Sequence, residues 1–68
     1  MDKRTLIKRI REIAKKDGFE LTFVREGGNH EIWSIRGHRL VIPRHREINE
    51  YTAQGILNMV KEVTRDEQ

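Results

Sequence analysis

Near the start of the chain the apolar residues Leu6, Ile7, Ile10, Ile13 and Ala14 fall at helical spacing, and Lys3, Arg4, Lys8, Arg9, Arg11, Lys15 and Lys16 fill most of the positions between them. The pattern predicts an amphipathic first helix with a basic outer face. Asp2 or Thr5 can cap its start, and Gly18 can end it in a left-handed conformation. The period then changes. Phe19, Leu21 and Phe23 alternate with Glu20 and Thr22, a second run spans Glu31 to Ile35, and a third spans Arg39 to Ile42 before Pro43 ends it. Tight turns at Gly27-Gly28 and Arg36-Gly37 would join these runs into an antiparallel meander. After a polar loop, Ala53, Ile56, Leu57, Val60 and Val63 return to helical spacing, with Asn49 or Thr52 as a cap. The expected fold is therefore α+β in the order α-β-β-β-α, a three-stranded antiparallel sheet with two helices on one face. No repeat, linker or low-complexity stretch divides the chain, so residues 1–68 read as one domain, with Arg65 to Gln68 as a frayed tail.

Register follows from the rule that directly opposed residues share a face of the sheet. A two-residue loop at Arg36-Gly37 sets Ile35 opposite His38, Trp33 opposite Leu40 and Glu31 opposite Ile42. Trp33, Ile35, Leu40 and Ile42 then lie on one side, which is the expected core. A three-residue loop at Gly27-Gly28-Asn29 sets Phe23 opposite Trp33 and Leu21 opposite Ile35, and brings the first strand onto the same face. A two-residue loop pairing Phe23 with Ile32 would split the aromatic residues between faces. The tryptophan and both phenylalanines are accordingly assigned to the core.

In this register His30 points to the open face, opposite Glu26 and near Pro43, among Val24, Ile32, Ser34, Arg39 and Val41. A histidine there either occupies a solvated hairpin shoulder or exchanges a proton near neutral pH. A facing Glu26 carboxylate would orient the ring and favour its charged form.

Composition narrows the choices. A chain of 68 residues has a thin core, because about 60 residues bury only roughly 60% of the surface they expose when unfolded. There is no cysteine, so a disulfide framework, a thiol nucleophile and a cysteine zinc site are excluded, and the cytoplasm is the expected compartment. No apolar window suits a signal peptide or a membrane span. A net charge of +3 and a pI of 9.7 point to a polyanionic or acidic partner.

Other chemistries lack their full patterns. His30-Glu31 begins an H-E-x-x-H motif, but Ser34 stands where the second histidine belongs, in a strand, so no metal and no cofactor are expected. The glycine pair belongs to neither nucleotide-binding signature. Ser34 has no partner set for a triad. His38 sits in a turn, most simply as a solvated residue. His45, between Arg44 and Arg46, is a solvated loop residue, a phosphate contact or a second proton carrier.

Taken together, Gly28-Asn29-His30-Glu31-Ile32-Trp33, Leu40-Val41-Ile42-Pro43-Arg44-His45, Ile48 and Thr52-Ala53-Gln54-Gly55-Ile56-Leu57 resemble the HicA toxin family, as does a Leu6-Ile7 helix ending in Asp17-Gly18-Phe19. The resemblance covers nearly the whole chain, in order. It implies a fold similar to the double-stranded RNA-binding domain and a ribosome-independent endoribonuclease (mRNA interferase) that needs no metal. It also implies inhibition by a cognate HicB antitoxin in a toxin-antitoxin hetero-oligomer. The family's essential histidine follows a glycine and a small polar residue, commonly serine, and that motif falls on Gly28-Asn29-His30. Asn29 departs from the commoner serine but can still donate a hydrogen bond.

His30 is then the expected catalytic residue, with Glu26 and His45 as candidate supports. Single-stranded or structured mRNA would be held by Gly28 and Asn29, by the strip Arg39, Arg44 and Arg46, and by the first-helix face with Lys3 and Lys8. Two other readings share the same fold and charge: an RNA-binding module without catalysis, and a protein-interaction domain whose basic face docks an acidic partner.

Overall fold

The computed structural model describes residues 1–65, and the order of elements is α1 (Lys3–Lys16), β1 (Leu21–Gly27), β2 (His30–Ile35), β3 (His38–Pro43) and α2 (Glu50–Thr64). The expected α-β-β-β-α order holds, with one antiparallel sheet in the order β1-β2-β3. The tail expected at Arg65 to Gln68 lies, beyond Arg65, outside the described residues. No helix among the described residues is long and apolar enough to cross a membrane.

Local chemistry accounts for the boundaries. Asp2 occupies the N-cap of α1, although its side chain makes no capping bond. At the other end the Phe19 N–H donates to Ala14 O (2.8 Å) and the Gly18 N–H to Lys15 O (3.0 Å), with Gly18 at φ +79°, which is a Schellman stop. Phe19 is consumed by this stop. It therefore lies outside β1, contrary to the alternating pattern, and packs partly buried beneath the Arg36 guanidinium, 4.8 Å from its ring. Asn49 caps α2 by accepting from the N–H groups of Tyr51 (2.7 Å) and Thr52 (3.3 Å).

The β2–β3 hairpin has the expected register, Ile35 with His38, Trp33 with Leu40 and Glu31 with Ile42. Its turn residues Arg36 (φ 52°) and Gly37 (φ 79°) both have positive φ, as a type I′ turn requires. An arginine is strained there. Its guanidinium compensates by donating to Val63 O (2.9 Å) and Arg65 O (3.1 Å) at the end of α2, which ties the hairpin to that helix.

The β1–β2 hairpin corrects the expected loop. Phe23 does face Trp33 and Leu21 does face Ile35, but Arg25 faces Ile32, Glu26 faces Glu31 and Gly27 faces His30. Val24 is the extra residue of a β-bulge, and the turn is two residues long, Gly28-Asn29. The positive φ falls on Gly28 (58°), the first central residue, as in a type II′ turn. One bulge satisfies both demands: a tight turn that twists with the strands, and aromatic residues kept on one face.

Leu6, Ile10 and Ala14 from α1, Leu21, Trp33, Ile35, Leu40 and Ile42 from the sheet, Ile48 from the connecting segment, and Ala53, Leu57 and Val60 from α2 form a single buried cluster. Both helices contribute to it from the same side of the sheet, α1 against β1 and α2 against β3. Phe23 is the exception to the expected core, 48% exposed at the edge strand, where it meets the Trp33 ring edge-on at 5.2 Å. Beyond Leu21 no buried residue of β1 reaches the helices, and the bulge begins immediately after Phe23.

Candidate functional site

The sheet face away from the helices is open. On β2 burial alternates, with Glu31, Trp33 and Ile35 buried, His30 exposed and Ile32 and Ser34 intermediate. His30 therefore lies at the open-face end of β2, between Gly27 on β1 and Pro43 on β3. This corrects the expected pairing with Glu26. The bulge shifts Glu26 by one residue to face Glu31, and puts a glycine across from the histidine, so one flank of the imidazole is clear of side chain. Among the described residues the His30 ring makes no hydrogen bond or ion pair.

Arg44 organises the turn that carries His30. Its N–H donates to Asn29 O (3.0 Å), its Nη1 donates to Gly28 O (3.1 Å), and its Nη2 lies 3.2 Å from Glu26 Oε2. Arg44 thus holds both carbonyls of the turn, that of Asn29 through its backbone N–H and that of Gly28 through its guanidinium, and Glu26 reaches the site through Arg44. Gly28 carries the positive φ that a side chain would strain, while its surroundings would admit a Cβ.

Beneath the turn, on the helix side, is a polar group to which the sequence reading assigns no role. Glu31 is 9% exposed; its Oε2 is 2.6 Å from Lys3 Nζ and its Oε1 accepts from Trp33 Nε1 at 3.1 Å. Burial pushes the Glu31 carboxyl up, but the hydrogen bonds from Lys3 and Trp33 and the charges of Lys3 and Arg44 outweigh burial and leave it below the ordinary glutamate value. Arg11 lies over the Trp33 ring, 5.7 Å from its centroid. The sequence carried a signal for this residue: a glutamate set opposite Ile42 on the core face must have a partner.

The remaining expected residues divide. Arg46 and Lys3 line one groove with Asp2, Arg4 and Arg44, of about 400 Å³. Arg39 lies further along the open face, opposite Ser34, and lines a depression of about 290 Å³ with Val24, Arg25 and Ile32. Lys8 is exposed on α1, apart from both. His45 is exposed in the segment after β3 and makes no side-chain hydrogen bond among the described residues. No group of three or more histidine, aspartate or glutamate side chains that could hold a metal ion occurs among the described residues.

The arrangement combines an accessible imidazole, a turn stiffened by a guanidinium and a flanking excess of cations. Such a site can exchange a proton beside an anion. Among known proteins, the family model described as the HicA toxin of bacterial toxin-antitoxin systems matches residues 7–61, most of the chain and all three strands. Comparison with curated proteins and with solved structures returns no match.

Proposed function

Since the chain belongs to the HicA toxin family of bacterial toxin-antitoxin systems, we propose that it is a cytoplasmic endoribonuclease that cleaves mRNA with His30 and is silenced by a HicB-type antitoxin. The observation that carries this reading is the exposed, unbonded His30 on an arginine-clasped turn. The likeness of the α-β-β-β-α order to the double-stranded RNA-binding domain supports an RNA substrate by analogy.

In the proposed step the ribose 2′-oxygen attacks the adjacent phosphorus as a base removes its proton, and the bond from phosphorus to the 5′-oxygen breaks as an acid supplies a proton to that oxygen. The products are a 2′,3′-cyclic phosphate and a 5′-hydroxyl. His30 serves one of the two proton transfers. Asn29 and the nearby cations oppose the charge that grows on the phosphate oxygens. His45 or water serves the other transfer.

This chemistry has a direct test. The protein cleaves ribose RNA, leaves 2′,3′-cyclic phosphate ends, and does not cut the same sequence carrying 2′-O-methyl groups. Cleavage of the methylated strand would exclude the 2′-hydroxyl as nucleophile. Binding of RNA with no cleavage at all would favour the non-catalytic RNA-binding module, which Asn29 in place of the family's commoner serine also suits.

The open face also fits inhibition by occlusion. Val24 (52% exposed) and Val41 (45%), with half-buried Ile32, form an apolar patch close to His30. An antitoxin seated there covers the histidine. Val41→Lys should weaken antitoxin binding by about tenfold or more, because it buries an unpaired charge, while cleavage suffers less. Titration calorimetry of the toxin-antitoxin pair reads the effect. An unchanged affinity would place the contact elsewhere.

A further inference from the structure

We propose that the groove between the start of α1 and the 44–47 segment is a phosphodiester subsite for RNA, bound by Arg4 and Arg46. The inference rests on the ribonuclease reading and deepens it by separating the cations that bind from those that build.

Lys3, Arg4, Arg44 and Arg46 line this groove with Asp2. Lys3 is committed to Glu31 at 2.6 Å, and Arg44 to Glu26 at 3.2 Å and to the Gly28 carbonyl at 3.1 Å. Lys3 can take a phosphate only by giving up Glu31, and the charge of Arg44 is already partly offset by Glu26, so each gains less from a phosphate than an unpaired arginine does. Arg4 and Arg46 are exposed, and among the described residues neither makes an ion pair or a side-chain hydrogen bond. They carry the excess positive charge of the groove, and a guanidinium suits the oxygens of a phosphodiester.

The two arginines are also held in place. The Lys3 N–H donates to Arg46 O at 2.8 Å, Asp2 pairs with Glu47 in an isolated bridge, and the Ile48 N–H donates to Met1 O at 2.7 Å. Their backbones are therefore fixed on facing walls before any ligand arrives, which lowers the ordering cost of binding. Arg44 is common to the groove and to the turn before His30, so the groove borders the end of the sheet that carries the histidine. Arg4 has no special signal in the sequence. It is one of many basic residues on α1, and only the pairing of its neighbours sets it apart.

The test titrates 2′-O-methyl RNA, which lacks the attacking hydroxyl, into the full chain and into Arg4→Gln/Arg46→Gln. Lys61→Gln on α2 serves as the control for charge loss. At about 0.1 M salt the double variant should bind about tenfold more weakly, and its plot of log K against log salt should be shallower by about 0.7 for each phosphate no longer neutralised. Arg4→Lys/Arg46→Lys keeps the charges and should retain most of the salt slope. At matched ionic strength, inorganic phosphate should displace the RNA no better than chloride does.

Wild-type affinity and slope in the double glutamine variant would overturn the subsite. Equal weakening by Lys61→Gln would reduce the effect to net charge and overturn it too. Displacement by micromolar phosphate would assign the groove to a free anion, and loss of antitoxin binding with RNA binding intact would assign it to the protein partner; either result overturns the proposal. Cleavage by the wild type and by His30→Ala is measured separately, so failure of the groove and failure of the ribonuclease reading are distinguishable.

Discussion

His30→Ala should abolish the proposed RNA cleavage, with a fall of about a thousandfold, while the protein should unfold within about 0.5 kcal/mol of the wild type. The two halves of this expectation have separate physical origins. The catalytic half follows from position: the imidazole is exposed on the open face, flanked by Gly27 and Pro43, and its turn is clasped by Arg44. The stability half follows from the absence of packing, because the ring belongs to no part of the buried cluster and makes no hydrogen bond among the described residues. Induction of the variant should leave growth and bulk mRNA intact, and purified protein should show an unchanged cooperative melt. Cleavage at the wild-type rate by a folded His30→Ala protein would remove the histidine from the mechanism. A large loss of stability would contradict the open-face placement.

Position was largely legible before the structure. A period of two in Trp33, Ile35, Leu40 and Ile42, with a turn signal at Arg36-Gly37, admits one arrangement that buries all four, and all four are buried. Gly18 and Asn49 mark helix ends by chemistry that acts within a few residues. The failures share a cause, since each depends on what lies across the fold. Phe23 alternates correctly, yet beyond Leu21 the helices do not cover β1, so it is half exposed. The bulge at Val24 is invisible because the pairing on its far side is the one that alternation demands. Ile48 stands in a polar segment without period and is buried because the start of α1 is bonded to residues 46–48. Within the site, the histidine carries its own signal as a titratable residue at a turn. The roles of Lys3, Arg44 and Glu26 do not, because each is defined by a partner distant in sequence.

Lys3→Met should lower stability by about 2 kcal/mol, a large share of what a domain of this size holds. Methionine preserves much of the apolar stem and removes the charge that faces Glu31 at 2.6 Å. The carboxylate stays buried, with the Trp33 N–H as its remaining direct donor and Arg44 as the nearby positive charge, so part of its burial cost is no longer offset. Breaking a fully buried pair costs about 3–5 kcal/mol, and the partial exposure of Lys3 reduces the figure here. The pH dependence gives an independent check. The folded Glu31 carboxyl titrates below its ordinary value of 4.5, so its contribution is fully present above that pH and is lost as pH falls through the lower folded value. Wild-type stability should therefore decline on the acid side of about pH 4.5, and Glu31→Gln should flatten that part of the curve. Urea unfolding of Lys3→Met, Glu31→Gln and the double variant completes the cycle. The double variant should cost clearly less than the sum of the singles, because methionine facing a neutral amide leaves no buried charge unmatched. Costs that simply add, with an acid slope the same in all four proteins, would show that the ion pair beneath the histidine contributes nothing to the fold.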